Sequence, residues 1–286
     1  MTAHKKQIIE NINQTIVLKE LMTAYEEIAA KRMQRIREQV LKSREFHELL
    51  RGYFHEIQTS HSHEKPTQTT QVSVIKNNGK NLILLASDDK GLYGDILEKT
   101  QKAFIAYAQK DTESDLAVLG NLGAENLQHI FPNRQLRFFP LADGNSVVTQ
   151  INDVLRYLTD YTNVTVFHGK FLNLVTQEPE QTHLGGDAPL VEQEKPSTPR
   201  RYVFEPSRDS LLTFFRQEIL AVLFDQTMLE SNLAKQASRM ISLEKASDEA
   251  KKRIIKLKKL EQIMRSQTEN KRQITYLAGL SLWKIH

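Results

Sequence analysis

One glycine-containing turn has the sequence setting in which phosphate chemistry could occur. The segment SDDKGLYGD, residues 87–95, follows a short apolar run and precedes an amphipathic pattern. Phosphate-binding loops occupy such positions between a strand and a helix. However, the segment lacks GxGxxG and GK[ST], and Asp88 and Asp89 would repel a phosphate. The residues therefore favour a tight turn that needs glycine over a nucleotide site.

The other reactive residue types do not form a recognisable catalytic or metal-binding set. The chain has no cysteine, which excludes disulfides, thiolate catalysis and cysteine-based metal sites. His55, His61 and His63 are close in sequence but could bind a metal only with further ligands, so a solvated linker is the simpler interpretation. The remaining histidines have no obvious nucleophile or carboxylate beside them in the sequence. We predict no catalytic residue, no cofactor and no metal.

Two long helical patterns flank the turn. Residues 5–57 contain no proline, and residues 208–286 contain none either. Narrow apolar stripes at spacings of three and four are typical of a coiled-coil seam, and helices this long need a partner. We therefore predict that the two helices pair antiparallel. The predicted stripe of the first helix comprises Val17, Leu21, Ala24 and Ile28, then Ala29, Met33, Ile36 and Val40, then Phe46, Leu50, Tyr53 and Ile57.

The second helix has a similar stripe with polar interruptions that can fix its register. The interrupting residues are Gln226, Gln236, Ser247 and Glu261.

Between the helices, short strand and helix patterns alternate. The predicted strands cover 81–87, 116–119, 136–139, 164–168, 170–176 and 202–204, the predicted helices cover 95–109, 124–130 and 146–161, and 178–200 is interpreted as a loop. This order predicts a mainly parallel, Rossmann-like sheet covered by helices. The predicted fold is α/β plus a long antiparallel coiled coil. Its parts are an N-terminal coiled-coil helix (1–58), an inserted α/β domain (59–206) and a C-terminal coiled-coil helix with a protruding tip (207–286).

The tip follows from the unequal lengths of the two helices. If the first helix spans 4–57 and pairs from residue 208 onward, it is used up when the second reaches about residue 262. A polar stretch beyond that point tolerates water, but the apolar residues between Ile274 and Trp283 do not. We predict that another protein encloses this tip; the alternative is that the helix bends back or frays.

The distribution of charged residues also distinguishes the second helix. The chain has 39 Lys and Arg against 35 Asp and Glu, and basic residues concentrate between Lys251 and Arg265. A solvated face is the ordinary interpretation of such a run. Nucleic-acid binding would need interleaved aromatic residues, which this run lacks, so an acidic protein partner fits better. No apolar run approaches the roughly 20 residues of a membrane span, and the N-terminus is too polar for a secretory signal.

Three segments resemble the gamma subunit of F-type ATP synthases, the central rotor shaft. Leu21–Met33 is similar to ITKAMxMVAAxKL, Ser87–Ile96 to TSDRGLCGG, and Ser231–Leu257 to SxxxEHAARMMAMDNATDNAxxLIxxL. The end of the chain departs from the family pattern: Arg265 keeps an arginine, but Ser266 stands for a glutamine. These departures are consistent with a divergent gamma subunit from an alternative or specialised rotary ATPase.

The resemblance implies a central rotor subunit, itself non-catalytic, that couples ion-driven rotation to nucleotide catalysis in a hexamer of alpha and beta subunits. The implied partners are that hexamer, an epsilon-like subunit and the membrane rotor ring, with no nucleic acid. The implied location is cytoplasmic, peripheral on the inner or plasma membrane. The expected partner contacts are Lys90, Gly91, Leu92, Arg239, Lys251, Lys252, Arg265, Ser266 and Trp283.

Two other functions remain open from the sequence. One is a structural coiled-coil adaptor with an α/β binding domain, and the other is a small-molecule enzyme with a pocket near residues 87–95. The sequence does not distinguish synthesis from hydrolysis of ATP, or a proton from a sodium motor.

Overall fold

The computed structural model describes residues 2–59, 78–89, 91–122, 124–141, 147–185 and 208–283. The helices are α1 (Thr2–Thr59), α2 (Ile96–Lys110), α3 (Ala124–Ile130), α4 (Val147–Thr159) and α5 (Arg208–Trp283). The strands are β1 (Asn81–Ala86), β2 (Asp115–Leu119), β3 (Leu136–Phe139), β4 (Asn163–Phe171) and β5 (Gln177–Gly185).

The chain divides into two compact units, and α1 and α5 contribute to both. Unit 1 comprises Met1–Ala29 and Met240–His286, and unit 2 comprises Ala30–Arg239. In unit 1, the C-terminal end of the α1 segment (Ala29) and the N-terminal end of the α5 segment (Met240) are both at the boundary with unit 2. The two helices therefore run antiparallel in this unit, as predicted. Among the described residues, no helix combines the length and apolar character that crossing a bilayer requires.

Unit 2 is built on a five-stranded sheet in the order β3-β2-β1-β4-β5. β1 pairs in parallel with β2 and β4, β2 pairs in parallel with β3, and β4 pairs antiparallel with β5. The predicted mainly parallel sheet is therefore confirmed. Residues 82–86 of β1 are at most 1% exposed, because helices cover both faces of a parallel sheet.

The two faces of the sheet carry separate apolar clusters. Alternate residues of β1 point to opposite faces. Leu82 and Leu84 pack with Leu158 of α4 and Phe224 of α5, whereas Ile83 and Leu85 pack on the other face with α2 and α3. The strand residues therefore form the middle of a three-layer arrangement that fixes the carboxyl end of β1, where the glycine-containing turn begins.

The second half of the sheet differs from the prediction. β4 continues through Gly169 and ends at Phe171, so it covers the predicted strand 164–168 but only the first two residues of the predicted strand 170–176. A Cβ at Gly169 would lie 2.9 Å from Ile96 and 3.3 Å from Ala234. The loop predicted for 178–200 is wrong over its first residues, which belong to β5. β5 is an edge strand, and an edge tolerates polar residues and a proline such as Pro179. The predicted strand 202–204 lies outside the described residues.

The buried stripe of α1 keeps a spacing of three and four but lies partly on a different face from the one predicted. The predicted set Ala29, Met33, Ile36 and Val40 is confirmed. The buried and half-buried positions of the stripe are Ile8, Ile12, Thr15, Lys19, Met22, Glu26, Ala29, Met33, Ile36 and Val40.

The first predicted set of α1 is wrong. Val17 is 63% exposed, Leu21 and Ile28 are close to half exposed, and Ala24 is exposed as well. The buried side of this segment is instead supplied by polar or long side chains, Thr15, Lys19 and Glu26 among them. In the third set Leu50 is buried, but Phe46 and Tyr53 are exposed, and the Ile57 side chain lies outside the described part.

In unit 1 the buried stripe of α5 ends before the helix does. It repeats at the same spacing through Leu243, Ser247, Ala250, Ile254, Leu257, Glu261, Met264 and Thr268. The predicted polar interruptions Ser247 and Glu261 thus lie in the stripe. From Glu269 to Gly279 every described side chain is exposed. Burial therefore ends about six residues beyond the predicted position, and Ile274, Tyr276 and Leu277 have the exposure predicted for a tip.

Candidate functional site

The turn of residues 87–94 is held firmly at the carboxyl end of β1. The Ser87 amide donates to the Leu119 carbonyl at 3.0 Å, and the Leu122 amide donates to the Asp88 carbonyl at 2.8 Å. The Ser87 hydroxyl donates to the Leu122 carbonyl. These bonds join the start of the turn to the end of β2, so the neighbouring strand ends move as one body.

Gly120 allows this close approach. Its φ of +90° favours glycine, and a Cβ at this position would lie 2.6 Å from the carbonyl carbon of Asp88. The Asp89 carboxylate then accepts the amides of Asn121 and of Leu141, the latter at 2.9 Å. Asp89 is therefore an acceptor that ties three strand ends together, which is unlike a group in a phosphate-binding loop.

The apex of the turn is exposed and conformationally unusual. Leu92 has a φ of +69° and is 63% exposed. Gly94 also has a positive φ, which confirms that this turn needs glycine. Gly91 is exposed with open space around it, and Lys90 lies outside the described residues. A leucine in the left-handed region is uncommon, and such a conformation persists only where surrounding contacts impose it.

A polar stretch of α5 within unit 2 contacts the residues on either side of this apex. Lys235 Nζ lies 2.9 Å from Asp88 Oδ2 and 3.0 Å from the Ser87 carbonyl oxygen. One helical turn later, the Arg239 guanidinium lies 5.2 Å from the centroid of the Tyr93 ring. Tyr93 is buried, and this burial, followed by the Asp88 charge, raises the pKa of its hydroxyl. The two ends of the turn are thus held by successive turns of one helix.

Further polar residues of α5 are buried beside this cluster. Thr227, Ser231, Gln236 and Ser238 are each at most 5% exposed, and among the described residues the Ser231 hydroxyl and Gln236 Oε1 have no hydrogen-bond partner. The predicted interruption at Gln236 is therefore buried. Sequence reasoning did not single out Lys235; its signal was a lysine within the small-residue run SNLAKQAS.

The predicted contact residues of unit 1 are exposed. Lys251 pairs with Asp248 at 2.8 Å and Arg265 with Glu269 at 3.1 Å, and Lys252 and Ser266 face solvent. Residues 251–272 contain nine Lys and Arg and two Glu. Consecutive helix residues point about 100° apart, so this excess of positive charge is spread over the sides of the helix that the buried stripe leaves exposed. The Trp283 side chain lies outside the described part of the structure.

Two of the described histidines, His168 and His183, lie in the sheet. His168 is buried in β4, where Nδ1 lies 3.1 Å from the Gly169 carbonyl oxygen and Nε2 lies 2.8 Å from Thr182 Oγ1. Burial lowers the pKa of its imidazole. His183 Nδ1 lies 3.0 Å from Thr165 Oγ1. Within the described ranges, no group of His, Asp and Glu side chains could hold a metal ion; His61 and His63 lie outside those ranges.

An antiparallel helix pair joined to an α/β unit, with an exposed turn and a basic helix as its distinctive surfaces, defines a subunit that works by contacting other proteins. The sequence model of the ATP synthase family matches residues 4–268. The chain therefore belongs to the gamma-chain family of ATP synthases, as the resemblance of its three segments indicated.

Individual relatives agree over nearly the whole chain. The ATP synthase gamma chain of Ruthia magnifica subsp. Calyptogena magnifica is 22% identical over 264 residues, which cover 88% of this chain and 90% of the relative. That of Acidithiobacillus ferrooxidans is 24% identical over 263 residues, with 88% and 90% covered.

Solved structures share the fold. A chain of the Euglena gracilis mitochondrial ATP synthase rotor aligns with a TM-score of 0.63 and 12% identity, covering 94% of this chain and 99% of that one. A chain of the Tetrahymena thermophila central stalk and c-ring aligns with a TM-score of 0.54 and 18% identity, covering 79% and 99%. Membership of the gamma-chain family favours the gamma-type function over the adaptor alternative.

Proposed function

We propose that this chain is the central rotor of a rotary ATP synthase or ATPase, turning within a hexamer of alpha and beta subunits that carry the nucleotides. The observation that carries the proposal is the exposed end of α5, where the helix continues beyond its buried stripe into an exposed apolar segment. Family membership supports the same assignment. The chain itself performs no bond chemistry in this proposal.

The apolar end of α5 is the part that the hexamer encloses. Ile274, Tyr276 and Leu277 are each about two-thirds exposed or more. Burying one such side chain stabilises a complex by about 1.5–3 kcal/mol, so these residues supply a substantial share of the driving force for insertion. Trp283 is proposed as a further contact.

The basic part of α5 suits contacts that must break and form again. Lys251, Lys252 and Arg265 are exposed, as is the neighbouring Ser266. Exposed ion pairs contribute about 0–1 kcal/mol each, and positive charge lies on all sides of the helix except that of the buried stripe. Acidic loops of the beta subunits can therefore be attracted at each angle of rotation without a strong fixed bond at any one of them.

In unit 2, the turn of residues 87–94 is a second contact surface. Lys90, Gly91 and Leu92 are proposed to touch a neighbouring subunit, and Arg239 supports them from below. The inserted domain (59–206) is proposed to lie near an epsilon-like subunit and the membrane rotor ring. This arrangement makes the chain a cytoplasmic, peripheral component of a complex at the inner or plasma membrane.

The proposed mechanism is mechanical. An asymmetric shaft presents a different surface to each of three beta subunits at a given angle. A surface that binds one conformation of a beta subunit more tightly than another shifts its population toward that conformation. Rotation thus changes the nucleotide affinity of each beta subunit in turn.

Purification of the tagged full chain from its native host, followed by mass spectrometry of its partners, tests the proposal. Alpha and beta ATPase subunits are expected in near-stoichiometric amounts, and their absence would contradict the rotor assignment.

A set of tip variants separates the rotor from an adaptor. Replacing Ile274, Tyr276 and Leu277 by serine is expected to lower coupled ATPase activity of the complex several-fold. The matched control replaces the exposed polar residues Asn270, Lys271 and Gln273 by serine and is expected to have a smaller effect. Equal activities in the two variants would favour an adaptor.

A further inference from the structure

We infer that Asp88 and Lys235 form a positioning latch, which holds the exposed turn of residues 87–94 on α5 so that force on the turn passes directly into the helix. This inference rests on the proposed function as a rotor. Neither residue is proposed to touch the partner; both act through Leu92 at the apex of the turn.

The first step concerns burial. The side chain of Lys235 is 4% exposed and that of Asp88 is 16% exposed. Among the ion pairs between described residues, the other pairs have both side chains at least 30% exposed. A buried pair contributes little net stability compared with apolar residues of similar volume, and its best-attested use is to specify register.

The second step is that this part of α5 needs a device that specifies register. The residues around Lys235 are small: Ser231, Ala234, Ala237 and Ser238 are all buried. A helix surface of small side chains packs closely but presents low ridges. Such a surface resists sliding and rotation weakly. The Lys235 ammonium adds a directional bond to the carboxylate of Asp88 and to the carbonyl of Ser87.

The third step links the pair to the apex. Asp88 Oδ1 accepts the amide of Asp89 at 2.9 Å, while Oδ2 binds Lys235. The Asp88 carboxylate also lies close enough to the Tyr93 hydroxyl, at the far end of the turn, to raise the pKa of that hydroxyl. One carboxylate thereby joins both ends of the turn to α5. Leu92, in its left-handed conformation, lies between these two fixed ends.

In this inference the Asp88–Lys235 pair positions the turn, whereas α5 holds the chain in its complex. Removing the ammonium leaves the sheet and the helix pair intact but releases the turn, so Leu92 relaxes from its strained conformation. The chain should still assemble with its partners through α5, while transmission through the turn weakens.

Hydrogen exchange on the full chain tests the latch. In Lys235→Met, the amides of residues 89 and 91–94 are expected to exchange faster by a factor at least about tenfold larger than the factor for β1, β2 and β4, because loss of the buried pair also lowers global stability and accelerates the strands. Lys251→Met, which removes an exposed lysine of the same helix, should leave the turn unchanged. Unaltered exchange in the turn, or an acceleration in the turn no larger than that of the strands, would overturn the inference.

Two further variants keep the test decisive if Lys235→Met folds poorly. Tyr93→Phe removes only the hydroxyl that lies near the Asp88 carboxylate and should accelerate exchange in the turn by a smaller factor. The double variant Asp88→Leu/Lys235→Met replaces the pair by apolar side chains and should regain thermal stability but not slow exchange of the turn. Recovery of both properties would show that the pair is merely structural.

Coupling measurements connect the latch to the motor and separate its failure from that of the proposed function. In an assembled complex, Lys235→Met is expected to retain ATP hydrolysis within about twofold while ATP-driven ion transport per ATP falls several-fold. An unchanged ratio of transport to hydrolysis would refute the mechanical role of the latch. If the wild-type chain assembles with no ATPase subunits, the rotor assignment fails, and the exchange experiment still decides whether the latch exists.

Discussion

Substituting Gly120 by alanine tests the close packing beneath the turn of residues 87–94. Gly120 follows β2 with a φ of +90°, and a Cβ there would meet the backbone N, Cα and C atoms of Asp88 at 2.6–2.7 Å. These are main-chain atoms held by hydrogen bonds at Ser87 and Leu122, so they cannot swing aside as a flexible side chain would.

The expected loss of stability has two parts. A left-handed backbone conformation costs an alanine about 1–2 kcal/mol relative to glycine. Forcing a methyl group into packed atoms costs about a further 1–3 kcal/mol. Together they predict that Gly120→Ala lowers the free energy of unfolding by about 2–5 kcal/mol, a large share of the stability of a typical domain.

Urea unfolding followed by circular dichroism measures this loss, with the midpoint compared at unchanged slope. Gly91→Ala is the matched control in the same region, because its Cβ would meet nothing within 4 Å. That variant is expected to lie within about 1 kcal/mol of the wild type. If Gly120→Ala is as stable as Gly91→Ala, the proposed steric requirement at residue 120 is wrong.

Three further predictions use other parts of the chain. Phe224→Ala, which removes a 1% exposed ring from the cluster between the sheet and α5, should lower the free energy of unfolding by about 3–5 kcal/mol in urea unfolding; a loss below about 1 kcal/mol would contradict this packing. Gly52→Ala, at an exposed position inside α1, should raise helix stability by about 0.5–1 kcal/mol, measured by thermal unfolding, and a lower midpoint would contradict it. Because burial lowers the pKa of His168, the unfolded chain binds the proton more readily, and stability should fall as the pH drops below about 6.5. In His168→Asn, the free energy of unfolding should fall less than in the wild type between pH 7.5 and 5.5. Identical pH profiles for the two proteins would refute the assignment of this pH dependence to His168.

Much of the sheet could be predicted from the sequence because its inner strands have apolar runs bounded by turn residues. The predicted starts and ends of β1 and β2 differ from the observed ones by at most one residue. β5 could not be recognised in this way. Its residues are polar and include Pro179, and what makes it a strand is the antiparallel pairing with β4.

The register of α1 was harder to predict for a related reason. Val17, Leu21 and Ile28 repeat at helical spacing, so they resemble a seam more closely than Thr15, Lys19 and Glu26 do. The choice between two faces of one helix depends on the partner, and pairing with α5 buries the polar set. An apolar stripe alone therefore identified the helix but not the side that packs.

The contacts that hold the turn of residues 87–94 could not be predicted from the sequence either. The need for glycine was visible in the spacing of Gly91 and Gly94, but the most confined glycine is Gly120, which lies elsewhere in the sequence. Lys235 and Asp88 are 147 residues apart, so nothing local indicated their pairing. The sequence showed Asp88 and Asp89 only as charges that disfavour a phosphate, and their role as acceptors became evident only in three dimensions.

The exposed apolar side chains of α1 also affect the fate of the chain before assembly. Val17, Leu21 and Ile28 share one side of the helix and are roughly half exposed or more. An isolated copy would expose this apolar surface of α1 to chaperones and proteases, which remove proteins that expose apolar surface. The cellular amount of the chain should consequently follow the supply of the proteins that cover it, which would prevent surplus copies from accumulating.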